Sequence, residues 1–285
     1  MKVIVTGGTG FIGRHTLNAL VNAGHDVLAL HRRAIPSDHM GVTWLESPFD
    51  DLDWSGITAF MNGEKGVLLH LLAHGVDPVK ADWDGCFLWN VTHSLKFWRE
   101  SILKGIFRII TCGSCFEYGA AGDRYEFIPS TVALEPLSPY AASKAAASMA
   151  LCGLAASEKV QALSIRPCVV YGEGEADNRL WPSLRRAAIS GVDFPMTTGS
   201  QVRDFVAVEY VARRLSESVD REDLPNGRLI IENIGSGQAK TVLEFATEWW
   251  SIWGGKGKLL VGALPSRASE TQRLVPFIDR HITIR

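Results

Sequence analysis

The chain begins as a succession of short, continuously apolar runs, separated by longer segments in which apolar residues recur at helical spacing. The runs at 2–6, 26–31, 42–45, 67–73 and 107–111 are rich in β-branched residues and leucine, which predicts strands. Their apolarity is unbroken rather than alternating, as expected of strands covered on both faces. Residues 10–23 carry Phe11, Leu17, Leu20 and Val21 at helical spacing, and residues 83–103 repeat the amphipathic pattern, so both are predicted helices. Residues 140–157 are alanine-rich, with no glycine or proline before Gly153, which predicts a third helix, followed by a strand at 162–166. Strand and helix alternate in the order of an α/β protein with a doubly wound parallel sheet.

Beyond Tyr171 the pattern loosens. A stretch rich in glycine and acids, GEGEAD, leads to a helix-like segment at 180–190, strand-like segments at 204–208 and 228–232, and a helix at 242–253. The expected organisation is a sheet domain over residues 1–170 and a smaller lobe over 171–285. That lobe is expected to pack over the carboxyl ends of the strands, with some of its segments returning to the main sheet.

Composition narrows the partner more than the fold. A chain of 285 residues can bury a large core without disulfide staples. A net charge of -2 supplies no basic field for nucleic acid or for an anionic membrane surface, so a small-molecule partner is expected. No apolar run approaches the ~20 residues needed to span a bilayer. The opening MKVIVTGGTG lacks the apolar core and cleavage site of a secretory signal, and a cytoplasmic location is expected. Cys112 and Cys115 form a C-x-x-C, but no second pair of ligands follows, so they are expected to finish a buried strand and no metal is expected.

Chemistry enters directly after the first strand. Gly7, Gly10 and Gly13 satisfy G-x-x-G-x-x-G, and Gly8, Gly10 and Gly13 satisfy G-x-G-x-x-G, between a predicted strand and a predicted helix. Glycines there allow a tight turn, let backbone amides approach a pyrophosphate, and let helix and strand pack closely. The second strand ends in His31, Arg32 and Arg33 rather than in an acid that would bind an adenosine ribose. Guanidinium groups suit a 2′-phosphate, so NADP(H) is expected ahead of NAD(H).

A second constellation opens the alanine-rich helix. Tyr140 and Lys144 stand four residues apart, on one helical face. An ammonium beside a phenol stabilises the phenolate, which would bring the tyrosine toward the working range of an acid-base group.

With TGGTGFIG at 6–13, LLHLLA at 68–73, Asn90 within WNVTHSL, GSCFEYG at 113–119, SPYAASK at 138–144, RPCVVYG at 166–172, RDFVAV at 203–208 and NIGSG at 233–237, the chain resembles the extended short-chain dehydrogenase/reductases. The likeness is to the nucleoside-diphosphate-sugar epimerases, dehydratases and reductases, over nearly the whole length. It implies a Rossmann-type sheet and a nucleoside-diphosphate-sugar substrate. It also implies a Ser114 hydroxyl on the reacting sugar oxygen, Tyr140 as general acid/base, and Lys144 on the nicotinamide ribose, lowering the tyrosine pKa. Gly7, Gly10, Phe11, Ile12, Gly13, Leu71 and Pro167 would face the cofactor. Cys115, Asn178, Arg203 and Arg267 would join Ser114 at the substrate, the two arginines near its diphosphate.

The reaction is narrowed by departures from the family's patterns. Dehydratases carry Asp-Glu directly after the catalytic Ser or Thr, where this chain has Cys115 and Phe116. Glu117, one place later, is expected to be a structural hydrogen-bonding residue. The leading expectation is an NADPH-dependent reductase of a nucleotide-linked 4-keto-6-deoxy sugar, because the His31-Arg32-Arg33 ending suits an exchangeable NADPH. The alternative is a 4-epimerase that retains NAD. Val169 stands where many epimerases place a substrate-binding Asn, and valine cannot make that hydrogen bond. A dinucleotide sensor without chemistry is disfavoured by the joint presence of Ser114, Tyr140 and Lys144.

His70 and His74 have no third partner nearby in sequence, and Trp249, Trp250 and Trp253 are expected to serve packing. Homodimerisation is expected by analogy, with the small residues Ala141, Ala145 and Ser148 offering a face for close helix packing.

Overall fold

The computed structural model describes residues 1–32, 41–49, 51–265 and 271–278. Arg33 and Arg267 lie outside the described residues. The strands of the first half are β1 (Lys2–Thr6), β2 (Asp26–His31), β3 (Val42–Glu46), β4 (Gly66–His70), β5 (Ile106–Cys112) and β6 (Gln161–Pro167). They are followed by β7 (Val169–Tyr171), β8 (Phe194–Met196), β9 (Val202–Ala207), β10 (Arg228–Ile234), β11 (Ala239–Thr241), β12 (Leu259–Val261) and β13 (Arg273–Leu274). The α-helices are α1 (Phe11–Asn22), α2 (Trp54–Met61), α3 (Trp83–Phe87), α4 (Ser94–Leu103), α5 (Pro139–Glu158), α6 (Leu180–Ser190), α7 (Val208–Glu217) and α8 (Val242–Ile252).

The main sheet is parallel throughout, in the order β10-β6-β5-β4-β1-β2-β3. Winding runs outward from β1 through β2 to β3, then restarts at β4 and runs the other way. The loops after β1 and β4 therefore diverge, opening a crevice at their carboxyl ends. Thr6 at the end of β1 stands in register with His70 at the end of β4, and His70 in turn with Thr111 of β5.

Both faces of the sheet are covered. On one, Leu17 and Leu20 of α1 and Val211 and Leu215 of α7 pack on Val3, Val5 and Leu69. On the other, Ile57 of α2, Phe97 and Trp98 of α4 and Leu151 of α5 pack on Ile4, Leu68 and Ile109. Each such side chain contributes about 1.5–3 kcal/mol when fully buried, so the strand ends that carry the site are held by a rigid core.

Two expected elements differ, each for a local reason. The strand expected over 67–73 stops at His70. Leu71 and Leu72 instead lie against the glycine turn, donating their N–H groups to the Thr6 carbonyl (3.0 Å) and the Thr6 hydroxyl (3.4 Å). The helix expected over 83–103 is broken between α3 and α4 by a π turn at Leu88–His93, which brings Asn90 inward to be buried. Helices α2 and α7 had no sequence expectation.

In the second half, β9 pairs with β7 and β13 in parallel and with β11 antiparallel, while β8 pairs with β12. Leu184 of α6, Met196, and Ala246 and Trp250 of α8 form a separate core. Tyr171, Trp181, Trp249 and Trp253 pack with ring centroids 4.9 to 6.2 Å apart, so these tryptophans serve packing. No helix among the described residues is long and apolar enough to cross a membrane.

The small-residue face of α5 is not free for a second copy. Ala141, Ala145 and Ser148 are all buried within the chain, whereas Met149 is exposed.

Candidate active site

The turn after β1 is built around its glycines. Gly7 has φ +73°, and a Cβ there would fall 2.7 Å from the backbone of Leu71. A Cβ on Gly13 would fall 2.1 Å from the Gly7 carbonyl oxygen, so α1 can approach the turn only with glycine at that place. The N-terminus of α1 has no side-chain cap and no acidic residue in its first turn. Its free amides and the positive end of its dipole therefore face the crevice, a fit for the pyrophosphate of a dinucleotide. Phe11 and Ile12 are half-buried at the helix start, Leu71 lies half-buried beside Gly7, and Pro167 closes β6. At the end of β2, His31 meets Trp44 edge-on at 5.8 Å, and Arg32 beyond it is exposed.

Ser114 follows β5 as the N-cap of a short turn, Cys115–Tyr118, its hydroxyl accepting the Phe116 N–H at 3.2 Å. Tyr140 and Lys144 occupy the first turns of α5, which starts on a Ser138 cap with Pro139 at its first position. The structure brings the three together: the Ser114 hydroxyl lies close enough to the Tyr140 phenol to favour the phenolate. Against this, burial pushes the phenol above its ordinary value, aided by the Glu117 carboxylate and, in the alkaline range where the thiol ionises, by Cys112. Burial thus moves the phenol in the direction opposite to the lowering expected from Lys144.

Lys144 is itself buried, its pKa lowered by desolvation, and it makes no hydrogen bond to another described residue. A buried ammonium with donors to spare fits the hydroxyls of a bound ribose. Behind it lies a cavity of about 10 Å³ between His70, Asn90 and Ser148, the size of a single water. His70 bonds Thr6 Oγ1 through Nδ1 and Ser94 Oγ through Nε2, both at 2.9 Å. Burial first and the Lys144 charge second push its pKa down to about 3, so it is a neutral core residue.

Sequence reasoning named Asn90 without giving it a role. Its carboxamide accepts the His74 N–H (2.7 Å) and donates to the His74 carbonyl and to Ser143 Oγ, both at 2.9 Å. Ser143 in turn donates to the Tyr140 carbonyl at 2.8 Å, so the loop after β4 is tied to the start of α5. A buried Asn inside an otherwise amphipathic stretch was the available signal.

The expected substrate contacts are dispersed. Cys115 is packed in a buried cluster with Tyr118, Ile128 and Leu274, and burial pushes its thiol up to about 12, so it is an inert core residue. Cys112 is likewise free and buried. Among the described residues no group of His, Cys, Asp and Glu could hold a metal ion. Arg203 is buried and donates to the backbone carbonyls of Val202, Thr271 and Gln272. Asn178 is exposed and meets Asp77 at 3.4 Å across the mouth of the crevice loops. Val169 is half-buried in β7, paired with Phe205.

A glycine cradle at the point where a doubly wound sheet reverses, facing a Ser-Tyr-Lys set, defines a dinucleotide-dependent enzyme of the extended short-chain dehydrogenase/reductase type. The chain belongs to the NAD-dependent epimerase/dehydratase family, whose model matches residues 3–235. It is 28% identical over 280 residues to the UDP-glucose 4-epimerase of Neisseria meningitidis serogroup C, covering 85% of this chain and 80% of the relative. It superposes on MoeE5 in complex with UDP-glucuronic acid and NAD with a TM-score of 0.84 at 25% identity, covering 98% of this chain and 90% of that one. The fold is shared with the UDP-glucose 4-epimerase of Thermotoga maritima with UDP-glucose, at a TM-score of 0.82 and 21% identity, over 98% of this chain and 90% of that one.

Proposed function

We propose that the chain is a nucleoside-diphosphate-sugar 4-epimerase that keeps its nicotinamide dinucleotide bound through each turnover. The observation that carries the reading is the Ser114 hydroxyl set beside the Tyr140 phenol, one turn of α5 from a buried Lys144 ammonium with no hydrogen-bond partner among the described residues. The relatives named UDP-glucose 4-epimerase support it over the reductase that the His31-Arg32-Arg33 ending had placed first.

A bound nicotinamide ring supplies an acceptor, and then a donor, for the hydrogen and electron pair at the sugar C4. The chain's own residues manage the proton and the pose. Tyr140 takes the C4 hydroxyl proton as the C4–H bond breaks, leaving a 4-keto sugar, and returns it when hydrogen is delivered to the opposite face. Ser114 holds the C4 oxygen by hydrogen bond, and Lys144 offsets the phenolate charge while binding the ribose. The glycine cradle fixes the pyrophosphate, which orients the reacting ring relative to Tyr140.

A second reading rests on Arg32, exposed at the end of β2 where a ribose-binding acid is lacking. It favours NADP(H), and with it the reduction of a 4-keto-6-deoxy sugar. One set of assays separates the two: conversion of UDP-glucose to UDP-galactose without added cofactor, against consumption of NADPH with a nucleotide-linked 4-keto-6-deoxy hexose. Epimer formation without net cofactor consumption is the expected result. Replacing Tyr140 by Phe is expected to lower kcat by about 10²–10⁴-fold with the dinucleotide still bound. Full turnover in that variant would remove Tyr140 from the mechanism.

A further inference from the structure

The residue that unites the site's three elements is one that touches no reacting atom. Glu117 is fully buried in the turn that Ser114 caps. Its Oε1 accepts the Ser114 N–H at 2.8 Å. Its Oε2 accepts the Ser148 hydroxyl at 2.9 Å and is bracketed by Arg166 through Nε at 2.9 Å and Nη2 at 2.8 Å. Ser148 lies one helical turn beyond Lys144 on α5, and Arg166 belongs to β6. One carboxylate therefore joins the serine turn, the tyrosine helix and the neighbouring strand.

The surroundings are shaped for it. A Cβ on Gly113 would sit 2.6 Å from Glu117 Oε1, so glycine before Ser114 is what admits the carboxylate. Arg166 is held from its other side by the Tyr118 ring at 4.8 Å, and the Tyr118 hydroxyl donates to Asn233 at 2.6 Å. Charged and titratable groups facing the phenol and the ammonium come from β4 (His70), from β5 (Cys112) and from the serine turn (Cys115, Glu117). His70 and both thiols are neutral at physiological pH, because burial opposes the charged form of each. The Glu117 carboxylate is then a charge from outside the triad that acts on both Tyr140 and Lys144.

We propose that Glu117 is a positioning residue that locks the Ser114 hydroxyl to the Tyr140–Lys144 face of α5 and, as a buried negative charge beside that face, makes the phenol a stronger base toward the C4 hydroxyl. The kinetic half of this proposal rests on the hydride-exchange reading above. Its structural half does not, and the tests separate them.

Two variants are measured as the full-length protein. Ser148→Ala cuts the tether to α5 and leaves the Arg166 pair intact, so it is expected to fold. Its kcat is expected to fall by roughly tenfold, the cost of one hydrogen bond to a charged group, with KM for UDP-glucose within about twofold of the parent. Glu117→Gln keeps the shape and removes the charge. Its Tyr140 titration, read as tyrosinate absorbance against the Tyr140→Phe background, is expected to move to lower pH, and the limb of the kcat–pH profile that reports Tyr140 with it. An unchanged kcat in Ser148→Ala, or a folded Glu117→Gln whose tyrosinate titration stays in place, would overturn the proposal. Should the parent turn over no UDP-glucose, the epimerase reading falls, while the absorbance titration still decides the role of Glu117.

Discussion

His70 shows how a side chain with catalytic chemistry becomes structural through its surroundings. Both ring nitrogens are occupied by hydroxyls, and neither hydroxyl carries a charge that would stabilise an imidazolium. With the folded pKa near 3 and the unfolded value at 6.5, the unfolded chain binds a proton across this window and the native chain does not. Stability is therefore complete above pH 6.5 and falls as the pH drops toward 3, by about 1.4 kcal/mol per unit from this group alone. Urea unfolding at pH 7.0 and 5.0 checks it: the parent is expected to lose about 2 kcal/mol more between the two than a His70→Asn variant. Equal losses in both would place the acid sensitivity elsewhere. Tyr140 and Lys144 differ from His70 in what remains unpaired, since among the described residues the Lys144 ammonium has no hydrogen-bond partner and the phenol has only the Ser114 hydroxyl beside it. Unmet hydrogen-bonding capacity at the crevice separates the reactive groups from the buried histidine next to them.

Helix α7 belongs to the element scale, both for what it does and for why it escaped the sequence reading. The expected strand at 204–208 ran through Val208, which is the first residue of the helix, and the β-branched Val206 and Val208 favour either state. The period that betrays it is Val208, Val211, Ala212 and Leu215, all buried, with Val211 and Leu215 packed on the sheet face that α1 also covers. Leu215→Ala is expected to cost about 2–5 kcal/mol in urea unfolding while leaving the bound dinucleotide content of the folded protein unchanged. Most main-sheet strands were legible to within a residue or two because unbroken apolar runs have one use in a covered parallel sheet. The π turn was not, since one additional residue in a helix leaves the surrounding period almost intact. Glu117 was expected to be structural, but its partners could not be read: Arg166 is 49 positions away and meets it only because β5 and β6 are neighbours. Ser114, Tyr140, Lys144 and the glycine turn were legible because their chemistry demands particular residues at fixed local spacing, whereas Cys115 shares a motif with them and is core.

At the scale of the whole molecule, the sheet must be closed at the edge where β10 joins it after the second lobe has been built. That edge is pinned by buried charge. Arg214 of α7 and Arg221 both pair with Glu232 of β10, and Arg221 also pairs with Asp223. Arg108 of β5 donates to Gln161 at 2.8 Å and to the carbonyls of Val219 and Arg221, so the segment after α7 is tied back under the sheet. Such a cluster is weak ground for net stability, because desolvation offsets most of the attraction, but it is unforgiving of partial loss. Glu232→Ala is expected to destabilise the chain by about 1–3 kcal/mol, because the buried Arg221 and the half-buried Arg214 each lose a carboxylate partner while Arg221 keeps Asp223. The triple change Arg214→Met, Arg221→Leu, Glu232→Met is expected to recover most of that loss, since the only partner it removes from a remaining carboxylate of the cluster is that of Asp223, which is exposed to water. If the single and triple variants unfold at the same urea concentration, the edge is held by its apolar contacts and the ion pairs only decorate it. If the triple recovers as expected, the charges act in registration, aligning β10 with β6 so that Asn233 sits opposite Arg166, in reach of Tyr118, and the network behind Ser114 can assemble.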